Sequence, residues 1–132
     1  MNSFTDLRAW QVGMQLVKEI YAITASFPVS EQYGLSSQLR RASTSILANI
    51  AEGFSKRSPA DKANKYTIAR SECSETHAFL LICGELQFVS NTKNLLLISL
   101  VQEEGKLLSG LIHAHMQKGT LRPTPYAPRP VS

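Results

Sequence analysis

The sequence is short of the features that mark catalysis, secretion and membrane insertion. Only two cysteines, Cys73 and Cys83, occur in 132 residues, and they fall on what reads below as one helix, roughly 15 Å apart along its axis. A disulfide between them would break that helix, so both read as small buried hydrophobes. No uncharged apolar run approaches the roughly 20 residues that span a bilayer; the longest lie around residues 78–84 and 95–101. Met1 is followed by Asn2, Ser3 and an early Asp6 rather than by a basic segment leading into an apolar stretch. A secretion signal is therefore not expected, and the expected setting is the cytoplasm with no membrane partner.

The residues of common catalytic sites are missing too. Ser74, Gly110 and Ile112 stand three places before His77, His113 and His115, so the Glu-x-x-His pairs of di-iron bundles do not occur. Cys73 and His77, one helical turn apart, offer two zinc ligands without a second pair. His113 and His115 project about 200° apart on a helix, which disfavours joint coordination. No serine or cysteine sits in a Gly-x-Ser-x-Gly setting, and no glycine-rich phosphate loop is present. The expectation is a non-enzymatic protein with no metal, no cofactor and no catalytic residue.

What is present is ordinary globular composition. Hydrophobic residues make up 43%, and 14 bases against 10 acids give a net charge of +4; this suits one domain with one core and excludes disorder over most of the length. Four of the six prolines, Pro123, Pro125, Pro128 and Pro130, crowd the last ten residues. The segment 119–132, with Arg122 and Arg129, is accordingly expected to be a disordered, proline-rich basic tail, and residues 4–118 the folded domain.

Apolar residues recur at helical spacing throughout that domain. Leu7, Trp10, Met14, Val17 and Tyr21 form one stripe and Leu16, Ile20, Ile23 and Phe27 a second, predicting a helix over residues 5–27 that Pro28 stops. Leu35, Leu39, Ala42, Ile46 and Ile50 predict a second helix, begun near Ser30 and Glu31 and ended by Gly53. Ser58, Pro59 and Asp61 make a strong start for a third, with a capping hydroxyl, a proline in the first turn and an acid where the helix dipole favours it. It carries Tyr66, Ala69, Cys73, Leu80 and Cys83 on one side and Ile68, Phe79, Ile82 and Leu86 on another, ending near residues 89–90. Asn91 or Thr92 is the expected cap of a fourth helix, whose Leu97, Leu100, Val101, Leu107, Leu108, Leu111 and Ile112 point inward and which ends near 118–119.

No β-hairpin signal and no repeat is found, so the expected fold is all-α: an up-down-up-down antiparallel four-helix bundle, since short connections make successive helices antiparallel neighbours. An isolated bundle needs one apolar stripe per helix, yet helices one, three and four each carry two. The surplus predicts homo-oligomerisation.

The segment Gln38-Leu39-Arg40-Arg41-Ala42-Ser43-Thr44-Ser45-Ile46-Leu47-Ala48-Asn49-Ile50-Ala51-Glu52-Gly53-Phe54 resembles the signature of the four-helix-bundle proteins encoded by intervening sequences in bacterial large-subunit ribosomal RNA genes. The resemblance extends to Phe4-x-x-Leu7-x-x-Trp10, to Phe27-Pro28-x-x-Glu31-x-Tyr33-Gly34-Leu35, and to Ile68-Ala69-Arg70 with Glu75, covering residues 4 to 115. It implies a ring-like homopentamer, similar to the accessory protein of diversity-generating retroelements, which looks like a nucleic-acid-binding relative. It implies no defined molecular activity. The sequence departs from the family pattern at Ser71-Glu72, where Gly-Ser is usual.

Two constellations stand out beyond the core. Asn49 and Glu52 share a face of helix two, and with Arg41, Arg70 and Glu75 they suggest a polar network that fixes register or subunit orientation. Glu72 and Glu75 share a face as well, and such acids commonly answer arginines. Arg40, Arg41, Lys56, Arg57, Lys62 and Lys65 suggest a basic surface for RNA or DNA around the end of helix two and the start of helix three, multiplied in an oligomer. The favoured function is a homo-oligomeric scaffold or adaptor that engages nucleic acid. The rival is a small-ligand or metal-binding enzyme with a pocket at Asn49, Glu52 and Glu75.

Overall fold

A computed structural model describes residues 2–116; the expected tail, residues 119–132, lies outside them, as does the expected end of helix four. The described residues form four α-helices and no strand: α1 (Arg8–Thr24), α2 (Leu35–Ser55), α3 (Pro59–Glu85) and α4 (Asn91–Met116). Each packs on its two neighbours in a ring, with α1 closing on α4. Ion pairs are in keeping with the antiparallel sense: Arg8 at the start of α1 meets Glu103 in the middle of α4, and Lys93 at the start of α4 meets Glu19 in the second half of α1.

The termini of the helices follow local chemistry. Ser3 caps a single 3-10 turn, Phe4–Asp6, that stands where the periodicity predicted the first turn of α1; the Phe4 ring sits edge-on to Trp10 at 4.8 Å. The end of α1 is Thr24, three residues short of Phe27. Thr24 and Ser26 hydroxyls donate back to the Ile20 and Ile23 carbonyls, which supplies those groups with a partner other than the next turn of helix. Phe27 is still buried, packed at 5.5 Å against Phe88 of the α3–α4 connection, so the two connections at that end are tied together.

After a 3-10 turn at Val29–Glu31, α2 begins at Leu35, whose N–H donates to the Glu31 carboxylate at 3.2 Å. The predicted stop at Gly53 is corrected: α2 continues to Ser55, and Gly53 is buried in it. A Cβ there would lie 2.6 Å from the buried Tyr66 ring, so the glycine serves close helix approach. The Ser58 start of α3 holds, its hydroxyl accepting from Asp61 N–H at 3.0 Å. That helix ends at Glu85, earlier than predicted, because Gln87 turns to φ 61°. Phe88 N–H then reaches the Cys83 carbonyl and Gln87 N–H the Gly84 carbonyl, the paired bonds of a Schellman ending, here without glycine in the left-handed position. The cap of α4 is Ser90 rather than Asn91 or Thr92: its hydroxyl accepts from Lys93 N–H at 3.3 Å.

The core is a single cluster drawn from all four helices, with Leu16, Ile20, Leu39, Ile46, Ile50, Leu80, Leu97 and Leu108 fully enclosed. Cys73 and Cys83 are buried free thiols, and burial pushes them up to about 12 and about 11. Thiols so far from ionisation at neutral pH are poor nucleophiles.

Candidate interaction surfaces

The polar residues singled out in the sequence divide among several helix seams. Arg41 spans α2 and α3, its Nη2 donating to Glu75 Oε1 at 2.6 Å and its Nη1 to Glu72 Oε1 at 3.3 Å. The Arg41 hydrogen bond holds Glu75 below the ordinary carboxylate range, whereas burial and then the neighbouring Glu75 carboxyl push Glu72 up. Glu72 thus supplies a second acid to this pair. Glu52 pairs with Lys65 at 3.0 Å. Asn49 turns back on its own helix and donates to the Ser45 carbonyl at 2.9 Å. Arg70 faces α4, donating to Ser109 and, on its own helix, to Ser74. Of the five expected network members, only Arg41 and Glu75 are joined, because Asn49, Glu52 and Arg70 point to different neighbours. By the same geometry Asn49, Glu52 and Glu75 are each engaged separately.

The six basic residues also have divergent surroundings. Arg40 lies beside α1, its guanidinium 4.4 Å from the Tyr21 ring centroid and its Nε donating to Thr24 Oγ1 at 2.8 Å. Arg41, one residue on and about 100° around the helix, faces α3 instead. Lys62 Nζ donates to the Phe54 carbonyl at 2.7 Å and to the Gly53 carbonyl at 3.4 Å, closing the C-terminal end of α2. Lys65 holds Glu52. Lys56 and Arg57, in the α2–α3 connection, are exposed and make no ion pair among the described residues.

The surplus apolar residues are not spread evenly. On α1 the flanking stripe is largely covered within the chain, with Trp10, Met14 and Val17 half-buried against the core. The exposed large hydrophobics gather where the α1–α2 and α3–α4 connections meet. Val29 and Tyr33 are 85% and 88% exposed, Leu95 is 70% exposed, and Tyr21, Leu81, Ile82, Leu86 and Leu96 are open as well. Ile68, nearer the start of α3, is the outlier.

Glu104 escaped the sequence reading. It is 0% exposed, both carboxylate oxygens lack a hydrogen-bond partner, and a Cβ on Gly13 of α1 would sit 2.7 Å from Oε2. Burial first, and then the Glu103 charge, push it up to about 8, so it is predominantly neutral at pH 7. The signal that could have found it is register: Leu97, Val101, Glu104 and Leu108 step by 4, 3 and 4 on one face. Among the described residues, no group of three or more His, Cys, Asp or Glu is placed to hold a metal ion, and no helix is long and apolar enough to cross a membrane.

The ring of four antiparallel helices around one core, with ion pairs at the α2–α3 and α1–α4 seams, defines an antiparallel four-helix-bundle protein. The chain belongs to the 23S rRNA-intervening sequence protein family, whose model matches residues 5–110. It is similar to a crystal structure of a protein of unknown function from the S23 ribosomal protein family of Bacteroides thetaiotaomicron, at 29% identity and a TM-score of 0.71, over 80% of this chain and 95% of that one. No curated protein matches it.

Proposed function

We propose that this protein is a non-enzymatic, cytoplasmic scaffold that self-associates through the end of the bundle where the α1–α2 and α3–α4 connections meet. The observation that carries this is the gathering of exposed Val29, Tyr33, Leu81, Ile82, Leu86, Leu95 and Leu96 at that end. Single exposed hydrophobics are ordinary, but seven large ones at the same end of one bundle are more than scatter and favour a contact surface there. A ring of five copies, the assembly implied by the family resemblance, would repeat the opposite end five times. That end presents Lys56 and Arg57, which makes it the side offered to the phosphates of RNA or DNA, with several weak contacts acting together.

Native mass spectrometry at micromolar concentration tests the assembly; a monomer there sinks this reading. Electrophoretic binding to structured RNA and duplex DNA at low and raised salt tests the partner. Binding that fades with salt and with Lys56→Gln/Arg57→Gln is expected, and no binding at low salt refutes the electrostatic contact.

A further inference from the structure

The groove between α3 and α4 belongs to neither surface above. It encloses about 530 Å³, the size of a small-molecule site. Arg70, Ser74 and His77 line it from α3, and Gln102, Lys106 and Ser109 from α4, with no acid among its lining residues. Arg70 is anchored without being neutralised: Nε donates to Ser109 Oγ at 3.2 Å and Nη1 to Ser74 Oγ at 2.9 Å. Arg8 and Arg41, by contrast, each reach a glutamate. Arg70 lies close over Gly105 of α4; a Cβ there would sit 3.2 Å from the guanidinium carbon, which would have to give by a few tenths of an ångström.

This arrangement leaves hydrogen-bond donors in excess. Both serines accept from Arg70, so each keeps its own O–H proton to donate, and Arg70 Nη2 makes no hydrogen bond among the described residues. Lys106 adds a second positive charge. A carboxylate has two oxygens for such a set, while a phosphate monoester has three terminal oxygens and about −1.5 to −2 charge at neutral pH. Its oxygens suit the guanidinium fork, and its charge offsets Arg70 and Lys106 together. We propose that the α3–α4 groove binds the phosphate monoester group of a small organic molecule, with Arg70 as principal contact and Ser74, Ser109 and Lys106 around it.

The test is calorimetric titration of the full-length protein, in the assembly it forms, with phenyl phosphate in chloride buffer. Binding is expected, weakened about tenfold by Arg70→Gln, since one charge-assisted contact is lost. Gly105→Ala keeps every charge and donor but shifts the guanidinium by a few tenths of an ångström, and is expected to weaken binding by less, about threefold. Lys106→Gln, at an exposed position, removes only a peripheral charge and is expected to cost about threefold. Circular dichroism confirms that each variant is folded, and Lys106→Gln carries the test should either of the others not be. No binding by about 10 mM phenyl phosphate, or wild-type binding by the folded variants, overturns the proposal. Equal binding of benzoate overturns the assignment to phosphate. Displacement of phenyl phosphate by an oligonucleotide lacking terminal phosphates, lost in Arg70→Gln, assigns the groove to nucleic acid and overturns the small-molecule reading.

Discussion

The two ends of the bundle are built from the same four helices and finished in opposite ways. At the end that holds the α2–α3 connection, the chain satisfies itself. Lys62 takes the last carbonyls of α2, Glu52 holds Lys65, and Gly53 lets the buried Tyr66 ring close against α2. At the other end, Phe27 and Phe88 close the core, but Val29, Tyr33, Leu86 and Leu95 are left in water. Exposed apolar area of that kind costs free energy that only another surface recovers. The difference separates the end where the chain satisfies itself from the end proposed above for contact between copies, so stability and that proposed contact can be broken separately.

The strongest way to break the contrast is to charge the open end. Leu86→Lys with Leu95→Glu is expected to raise the dissociation constant of the assembly by about a hundredfold, on the order of 3 kcal/mol. Both side chains are exposed, so the melt of the monomer should barely move. Native mass spectrometry beside thermal unfolding checks both halves; an intact oligomer removes that end from the interface. Gly53→Ala should do the reverse. Alanine improves helix propensity by up to about 1 kcal/mol, yet the clash with the enclosed Tyr66 ring dominates, and a net loss of about 2 kcal/mol in denaturant unfolding is expected. Assembly of the folded fraction should be unchanged.

Between the ends, Glu104 gives the clearest dependence on pH. Its folded-state pKa, about 8, lies above the ordinary carboxylate value of 4.5. The folded state therefore binds more protons than the unfolded state between those values, and stability falls as pH rises through that window before levelling off above 8. Glu104→Met removes the ionisable group while keeping much of its volume. It is expected to flatten this slope and to raise stability at pH 8 by on the order of a few kcal/mol. Denaturant melts at pH 5 and pH 8 decide it: an unchanged slope means that Glu104 is not the titrating group.

Legibility in the sequence followed the range of the interactions. The Ser58-Pro59 start and the stop before Pro28 are chemistry within a few residues, and the helix count and inward faces followed from period alone. Gly53 misled because a glycine that ends a helix and one that admits an aromatic ring look alike in one dimension. Arg40 and Arg41 read as one basic patch, although adjacent helical residues point about 100° apart and these two answer different helices. Glu104 was hidden by its residue type, since an acid on a helix ordinarily faces water. The exposed apolar end was legible only as a surplus; its location needed the turns in three dimensions.

The ring order of the helices also says something about time. Three of the seams join helices that follow one another in the chain, but the α1–α4 seam joins Arg8 to Glu103 across 95 residues and Glu19 to Lys93 across 74. Loop closure grows costlier with length, and the rate of folding is set by such distant contacts. The expected order is therefore α2, α3 and α4 first, with α1 swung in last to seal the core. Native-state hydrogen exchange should find the amides of Arg8–Thr24 opening at lower free energy than those in the middle of α3; equal protection would mean the four helices open as one unit.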